Sequence, residues 1–143
     1  MKISFESPDG SMIENPSIND LRLNMIDNFP DFWMQGNGTA TINYFDDEKS
    51  QRSLLILPNS EHGIYLKYLV MENRRVKAEW LSLENSLALK HTVECSDEWY
   101  ASIGLFLPLE KAWIAIVEFL LSGERTDKIN WINSEEMPED SNW

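Results

Sequence analysis

The residues with the most reactive side chains in this chain of 143 residues are one cysteine and two histidines. Cys95 follows His91 by four residues, and a thiol beside an imidazole could act as a nucleophile with its base. The base must lie within about 3 Å of the proton that it removes, but four steps along a strand cover roughly 13 Å. Because the residues around them alternate between apolar and polar, we predict a strand with a core thiol and a half-buried histidine. The sequence therefore predicts no catalytic residues and no enzyme.

Metal and cofactor ligands are also poorly represented. His62 lies in a turn far from His91, and closely spaced cysteine and histidine ligands of a zinc site are missing. The run Asp46-Asp47-Glu48 could hold a hard cation, but without the spaced carboxylates of a calcium loop it is typical of a solvated hairpin turn. Gly36 and Gly38 lack the third glycine of a dinucleotide loop, and spacing alone identifies no pair of glycosidase carboxylates. We predict neither a metal nor a cofactor.

The charge of the chain limits its partners. It carries 24 acidic and 12 basic side chains, a formal net charge of −12. Such a field repels nucleic acid and anionic membranes and attracts basic partners at rates that fall with salt. We therefore expect no direct binding to nucleic acid or membrane. A need for solubility would by itself explain the same acidic balance.

Location and domain count follow from length and patterning. No segment has the roughly 18 consecutive apolar residues of a membrane span, and the start lacks the apolar run of a signal peptide. A single cysteine cannot form an internal disulfide. We expect a cytoplasmic protein with one domain over residues 1–132, followed by an acidic segment, residues 133–143, that has too few apolar residues to order itself.

The strongest structural signal is the stretch from Phe106 to Trp131. Pro108 suits a first helical position and Gly123 suits the left-handed residue that ends a helix. Apolar residues between them repeat at spacings of three and four, which predicts a largely buried helix. They are Leu109, Ala112, Trp113, Ile116, Val117 and Leu120, flanked by Ile114, Phe119 and Leu121, and only Glu110, Lys111 and Glu118 mark a face for water. The turn 124–127 then leads into residues 128–132, which alternate as a strand.

This closing stretch carries a resemblance to a known family. A proline, a buried helix ending in Glu-Phe-Leu, the sequence Ser-Gly-Glu-Arg at residues 122–125 and a short strand ending in Trp131 resemble the C-terminal signature of immunity protein family one of bacterial polymorphic toxin systems. The strand-turn-strand text of residues 53–68 extends the resemblance more loosely. Thr126 stands where members of the family often have proline. The resemblance implies a small cytoplasmic antidote that blocks a toxin domain, often a nucleic-acid deaminase, and an α+β fold.

The remaining patterns agree with that fold class. Ser17 followed by Asp20 predicts a helix N-terminus, and the helix ends before Pro30. Strands are predicted over residues 2–6, 39–45, 53–57, 63–70, 76–83, 87–95 and 99–106, with turns at 7–10, 46–49, 58–62, 72–75 and 96–98. A run of strands flanked by helices favours a mainly antiparallel sheet of about five to seven strands with two principal helices packed on it.

Surface recognition is the function class that these features favour. An inhibitor needs a rigid scaffold, complementary charge and aromatic anchors, and acidic side chains with an aromatic ring could fill the basic cleft of a nucleic-acid-targeting toxin. The predicted contact residues are Asp46, Asp47, Glu48, Glu61, Tyr65, Glu72, Trp80, Asp97, Glu98 and Trp99. Each has a plainer interpretation, because acidic turns are usually only solvated and strand tryptophans usually belong to the core. The alternative functions are a small ligand-binding domain or enzyme with a pocket near Phe29–Trp33, and a subunit that joins itself.

Overall fold

The computed structural model describes residues 2–47, 49–96 and 99–143. The strands are β1 Lys2–Glu6, β2 Met12–Glu14, β3 Ala40–Phe45, β4 Ser50–Asn59, β5 Gly63–Glu72, β6 Arg75–Leu83, β7 Thr92–Ser96, β8 Trp99–Ser102, β9 Phe106–Leu107 and β10 Asn130–Asn133. An antiparallel sheet of eight strands has the order β10-β6-β5-β4-β3-β1-β2, with β9 paired to β5. Strands β7 and β8 form a separate hairpin. With two helices on the sheet, the predicted α+β class is confirmed.

The two helices begin and end close to where the sequence places them. Helix α1, Ile18–Arg22, continues as a π-helical segment, Leu23–Asp27, and helix α2 is Leu109–Ser122. Ser17 caps α1, since its Oγ accepts from the backbone N–H of Asp20 at 3.3 Å. Gly123 ends α2 with a φ of 73°, as predicted. Pro108 is the N-cap of α2, with extended backbone, rather than its first helical residue.

The two faces of the sheet carry separate cores. We call the face under α1 and α2 the helix face and the opposite one the hairpin face. The helix face contributes Ile42, Leu54, Ile56, Ile64, Leu66 and Tyr68, which pack with Ala112, Ala115, Ile116, Phe119 and Leu120 of α2. The hairpin face contributes Leu57, Tyr65 and Leu81, which pack with Cys95, Ala101, Leu105 and Phe106. The sheet is therefore the middle of three layers.

Helix α2 is less buried than its composition predicts. Ile114 is 42% exposed and Leu121 is 68% exposed, whereas Ala115 and Phe119 are buried. Only the side of α2 that faces the sheet is covered, because nothing in the described part of the chain packs on its outer side. The prediction of a largely buried helix is therefore wrong for this outer stripe.

Residues 84–107 differ most from the predicted strands. The stretch 87–95 begins as a 3₁₀ segment, Ser86–Ala88, and Leu87 is 92% exposed. Asn85 favours this turn because its side chain accepts from the N–H of Leu87 at 3.0 Å. The predicted strand 99–106 is interrupted by a second 3₁₀ segment, Ile103–Leu105. There Gly104 is so close to Asn85 that a Cβ would lie 2.1 Å from the Asn85 carbonyl oxygen.

Two further segments take paths that the sequence pattern does not predict. Strand β4 continues through Pro58, which lies beyond the part of β4 that pairs with β3. The C-terminal segment, predicted to be loose, contacts the hairpin face. The backbone carbonyl of Asn142 accepts from the N–H of Ser102 at 2.9 Å, and Met137 and Trp143 pack against the hairpin-face core. Two apolar side chains and a backbone hydrogen bond thus give this acidic segment a defined path.

No helix in the described residues has the length and apolar character that crossing a membrane would require.

Candidate functional site

The predicted contact residues lie in different parts of the molecule. Asp46 and Asp47, in the β3–β4 turn, and Glu72, at the end of β5, lie at one end of the sheet. Glu61 lies in the β4–β5 turn, at the other end. The length of β5 separates the two ends by about 30 Å at 3.3 Å per residue. The acidic turns therefore do not form one patch, and Glu48, Asp97 and Glu98 lie outside the described residues.

Near Asp46 and Asp47 the carboxylates have local structural partners. Asp46 Oδ1 lies 2.5 Å from Nη2 of Arg52, and Arg52 also pairs with Glu124. Asp47 accepts hydrogen bonds from the backbone N–H groups of residues 49 and 50 at 2.7 and 2.9 Å. Two of the predicted contact carboxylates therefore stabilise the turn and its neighbour, which reduces the charge that they offer to a partner.

Two of the three predicted aromatic anchors pack against other residues of the protein. Tyr65 is fully buried, so it cannot contact a partner in this structure, and its hydroxyl has no hydrogen-bond partner among the described residues. Burial raises the pKa of Tyr65 well above its ordinary value. Trp80 is half-buried, and the guanidinium of Arg125 lies 4.0 Å from its ring centroid. Strand alternation had left open which face each ring would take.

The Ser-Gly-Glu-Arg turn joins α2 to the sheet. Arg125 lies among three rings, because its guanidinium is also 5.8 Å from Tyr68 and 5.9 Å from Trp131. The hydroxyl of Tyr68 donates to the carbonyl of Gly123 at 3.2 Å, and the indole N–H of Trp131 donates to the carbonyl of Thr126 at 2.8 Å. These contacts give the turn a structural role.

Trp99 is the predicted anchor that stays accessible. It begins β8, is 43% exposed and lies 5.6 Å, ring centroid to Nζ, from Lys67. Its carbonyl oxygen accepts from the thiol of Cys95 at 3.6 Å. The next residue, Tyr100, is 46% exposed and pairs with the exposed Glu94 across the hairpin. The Lys67 ammonium thus lies against the ring of Trp99. Because successive residues of a strand point to opposite faces, Tyr100 lies with Glu94 on the other face of the hairpin.

The β4–β5 turn adjoins strand β7 of the hairpin. The side-chain amide of Asn59 donates to the carbonyl of Glu94 at 2.7 Å, and the carbonyl of the same side chain accepts from the N–H of Glu61 at 2.9 Å. We call Glu61, Glu94, Trp99 and Tyr100 the hairpin surface. Sequence reasoning named Glu61 and Trp99 but missed Glu94 and Tyr100, whose outward direction depends on where β7 and β8 begin.

The layer beneath the hairpin surface is polar and buried. Burial lowers the pKa of Lys67, and Glu79, whose carboxylate lies 3.9 Å from the Lys67 ammonium, opposes that shift. Burial raises the pKa of Cys95 to about 11, so the thiol keeps its proton at neutral pH. Cys95 is the core thiol that the sequence predicts. His91 is exposed and precedes β7, which corrects the prediction of a half-buried strand histidine.

A cleft lies beside the hairpin surface, near the aromatic segment that the alternative function invokes. It has a volume of about 500 Å³. Its lining residues are Pro30, Trp33, Met34, Gln35, Gly36, Asn37, Gly38, Pro58, Asn59, Ser60, Glu94 and Cys95. Glu94 is the one ionisable carboxylate among them, and Trp33 is buried with its indole N–H donating to the carbonyl of Met25 at 3.2 Å.

Within the described residues, no three His, Cys, Asp or Glu side chains are grouped so that they could hold a metal ion. Comparisons of the chain with protein-family models, with curated proteins and with solved structures found no match.

Proposed function

We propose that this chain is an immunity protein that binds a cognate bacterial toxin domain one to one and blocks its active site, with no catalysis of its own. The resemblance of residues 106–131 to immunity protein family one supports the class. The observation that carries the proposal is the hairpin surface, where Trp99, Tyr100, Glu61 and Glu94 are all exposed and Tyr100 is paired with Glu94 across the hairpin. Exposed tryptophan and tyrosine are the residue types that most often anchor protein interfaces.

The chemistry of the hairpin surface suits a toxin that acts on nucleic acid, such as a deaminase or a nuclease. The cleft of such a toxin is basic and accepts phosphates and stacked bases. Carboxylates at Glu61 and Glu94 would occupy the phosphate positions, and the ring of Trp99 would take the place of a base. The net charge of −12 would speed association with a basic target. Binding would take place in the cytoplasm, where such a toxin finds its substrate.

The test is co-purification with the C-terminal domain encoded directly upstream, followed by titration at low and high salt. We expect nanomolar affinity that weakens with salt, together with loss of toxicity. Trp99→Ala should weaken binding by about 30-fold or more, the effect of removing a central aromatic anchor. Leu87→Ala is the matched control, because Leu87 is 92% exposed and lies outside the hairpin surface.

The two negative outcomes are distinct. Absence of binding by the wild-type chain would refute the antidote function. Tight binding that Trp99→Ala leaves unchanged would keep the function and move the contact away from the hairpin surface.

Charge-reversal variants at the two ends of the sheet test which end contacts the toxin. Glu61→Lys lies at the hairpin surface and should slow association and weaken binding about fivefold. Glu72→Lys reverses the charge of another exposed carboxylate at the other end of the sheet and should change little. Equal effects of the two variants would mean that only the overall charge attracts the partner.

The second candidate function is a ligand-binding domain that uses the cleft of about 500 Å³ beside Trp33. The size of the cleft favours it, since small-molecule sites usually lie within that range. Native mass spectrometry of the purified protein tests it: a small molecule that stays bound would favour this function over the antidote.

A further inference from the structure

The outer side of α2 carries a continuous apolar groove. Ile114 and Leu121 are exposed and Val117 is half-buried, at spacings of three and four that place them on one stripe. The groove has a volume of about 510 Å³ and is lined by Trp113, Ile114, Val117 and Leu121 together with Glu118 and Lys128. It lies on the opposite side of the sheet from the hairpin surface, so it is a separate feature of the molecule.

A carboxylate without a partner lies in this groove. Glu118 Oε2 is shielded from water and has no hydrogen-bond partner within the described part of the chain. A shielded carboxylate is costly unless a donor or a cation reaches it. Ser122, one turn along the helix, donates its hydroxyl to the backbone carbonyl of Glu118 at 2.8 Å and not to the carboxylate. The groove therefore combines an apolar floor with a half-buried carboxylate that forms no ion pair within the described residues, although Lys128 lines the same groove.

We propose that this groove binds an amphipathic helix of another protein, whose leucine-type side chains pack on Ile114, Val117 and Leu121 and whose lysine or arginine pairs with Glu118. The stripe spans seven residues, about 10 Å, which matches the i, i+3, i+7 anchors of a helix lying in a groove. The inference goes beyond the proposed function, because the groove is remote from the hairpin surface and its test needs no toxin.

Charge argues against a second copy of this chain as the occupant. Each copy carries a net charge of −12, so two copies repel each other. Symmetric packing of two α2 helices about the centre of the stripe would also bring two Glu118 carboxylates together. A basic amphipathic helix avoids both of these repulsions. Its apolar side chains cover the stripe, and one of its cations can pair with Glu118.

The probe is a labelled helical peptide of about 18 residues, five turns, built from leucine on one face and lysine on the other. Its counterpart has glutamate in place of every lysine. Fluorescence anisotropy at about 0.15 M salt should show binding of the lysine peptide and binding at least tenfold weaker for the glutamate peptide.

Variants locate the binding site. Leu121→Ser keeps the charge of the protein and should weaken binding of the lysine peptide at least tenfold, the effect of losing a buried leucine contact. Glu118→Gln should weaken it about fivefold, the value of one charge pair. Leu87→Ser is the control, because it removes an exposed leucine elsewhere and should leave the affinity unchanged.

Three results would overturn the proposal. The first is no binding of the lysine peptide to the wild-type chain. The second is binding that Leu121→Ser does not weaken, because the peptide would then be attracted only by net charge. The third is a dimer in light scattering that Leu121→Ser dissolves, because a second copy would then occupy the groove.

Discussion

The helix face and the hairpin face of the same sheet bury different kinds of side chain. One row across the helix face is Ile42, Leu54, Tyr68 and Trp80, and the neighbouring row on the hairpin face is Asn43, Ser53, Leu69 and Glu79. On the helix face, α2 supplies large apolar side chains that cover the row. On the hairpin face, the β7–β8 hairpin and the C-terminal segment cover only part of the sheet, and Asn43, Ser53 and Gln51 hydrogen-bond to one another.

This difference suggests that the two faces contribute unequally to the stability of the fold and to contacts with a partner. A well-covered apolar face contributes most of the free energy of folding, while a half-covered polar face leaves side chains free to meet a partner. The hairpin surface lies on two elements that border this half-covered face, the β7–β8 hairpin and the β4–β5 turn. The groove on α2 shows that the element covering the helix face has an accessible side of its own. Four predictions test how far the two faces differ.

The largest expected effect compares adjacent residues of β3 that point to opposite faces. Ile42 is fully buried on the helix face, so Ile42→Ala should lower the free energy of unfolding by about 4 kcal/mol. Asn43→Ala removes hydrogen bonds from Gln51 and Ser53 on the half-exposed face and should cost about 1 kcal/mol. Urea unfolding measures both. Equal losses would mean that the hairpin face is as tightly packed as the helix face.

The next effect tests the turn that closes the helix face. Gly123 has a φ of 73°, and a Cβ there would lie 2.7 Å from the ring of Tyr44. Gly123→Ala should therefore cost about 3 kcal/mol, from the left-handed backbone and the forced shift of the ring. Thermal unfolding beside Gly10→Ala gives the contrast, because Gly10 also has positive φ but open space around it. If the two variants lose equal stability, contact with Tyr44 contributes nothing.

A smaller effect concerns Ser82, which joins the sheet to the segment that leads into β9. Its buried hydroxyl accepts from the N–H of Leu66 at 2.9 Å and donates to the carbonyl of Leu105 at 2.7 Å. Ser82→Ala leaves both backbone groups unpaired and should cost about 2 kcal/mol. The exposed Ser60→Ala is the control for the substitution itself. Unchanged stability in Ser82→Ala would show that water replaces the hydroxyl at this site.

The smallest effect is a pH dependence that comes from the hairpin face. Burial raises the pKa of Cys95 from 9.0 to about 11. The unfolded chain therefore releases the thiol proton first, and the stability from the buried thiol is complete below pH 9 and is lost as pH rises toward 11. Lys67 has the opposite effect on stability, because burial lowers its pKa in the folded protein. The free-energy cost of burying its positive charge therefore disappears as pH rises toward 10.5.

Comparison with Cys95→Ala isolates the thiol, since Lys67 stays in both proteins. Between pH 8 and pH 10 the wild type should lose stability relative to the variant in urea titrations. A constant difference between the two proteins across this range would show that the thiol is not held away from water.

Local patterns predicted much of the fold. Ser17 before α1 and Gly123 after α2 act through hydrogen bonds and backbone conformation within a few residues, so their positions can be read directly. The turns that join β1 to β2 and β5 to β6 were placed for the same reason. Local capping by Asn85 overruled apolar alternation at Leu87, and a close approach between chain segments at Gly104 divided a predicted strand.

The candidate site was less predictable. Alternation tells which strand residues share a face but not which element covers that face, so Tyr65 and Trp99 were equal candidates until β7 and β8 were placed on the sheet. The sequence also did not predict that the acidic turns would lie apart. Successive turns alternate between the two ends of an antiparallel sheet. The Glu61 turn reached the end near the hairpin, and the turns of Asp46 and Glu72 reached the other end.

By itself the sequence determined the fold class, the approximate bounds of α2 and an acidic net charge, because these depend on composition and on neighbours within a few residues. Only the tertiary structure decided that Trp99 is exposed, that Arg125 lies among Tyr68, Trp80 and Trp131, and that Ile114 and Leu121 face outward. Those outcomes depend on which distant segments pack together. Burial is a property of such contacts and not of any single stretch of sequence.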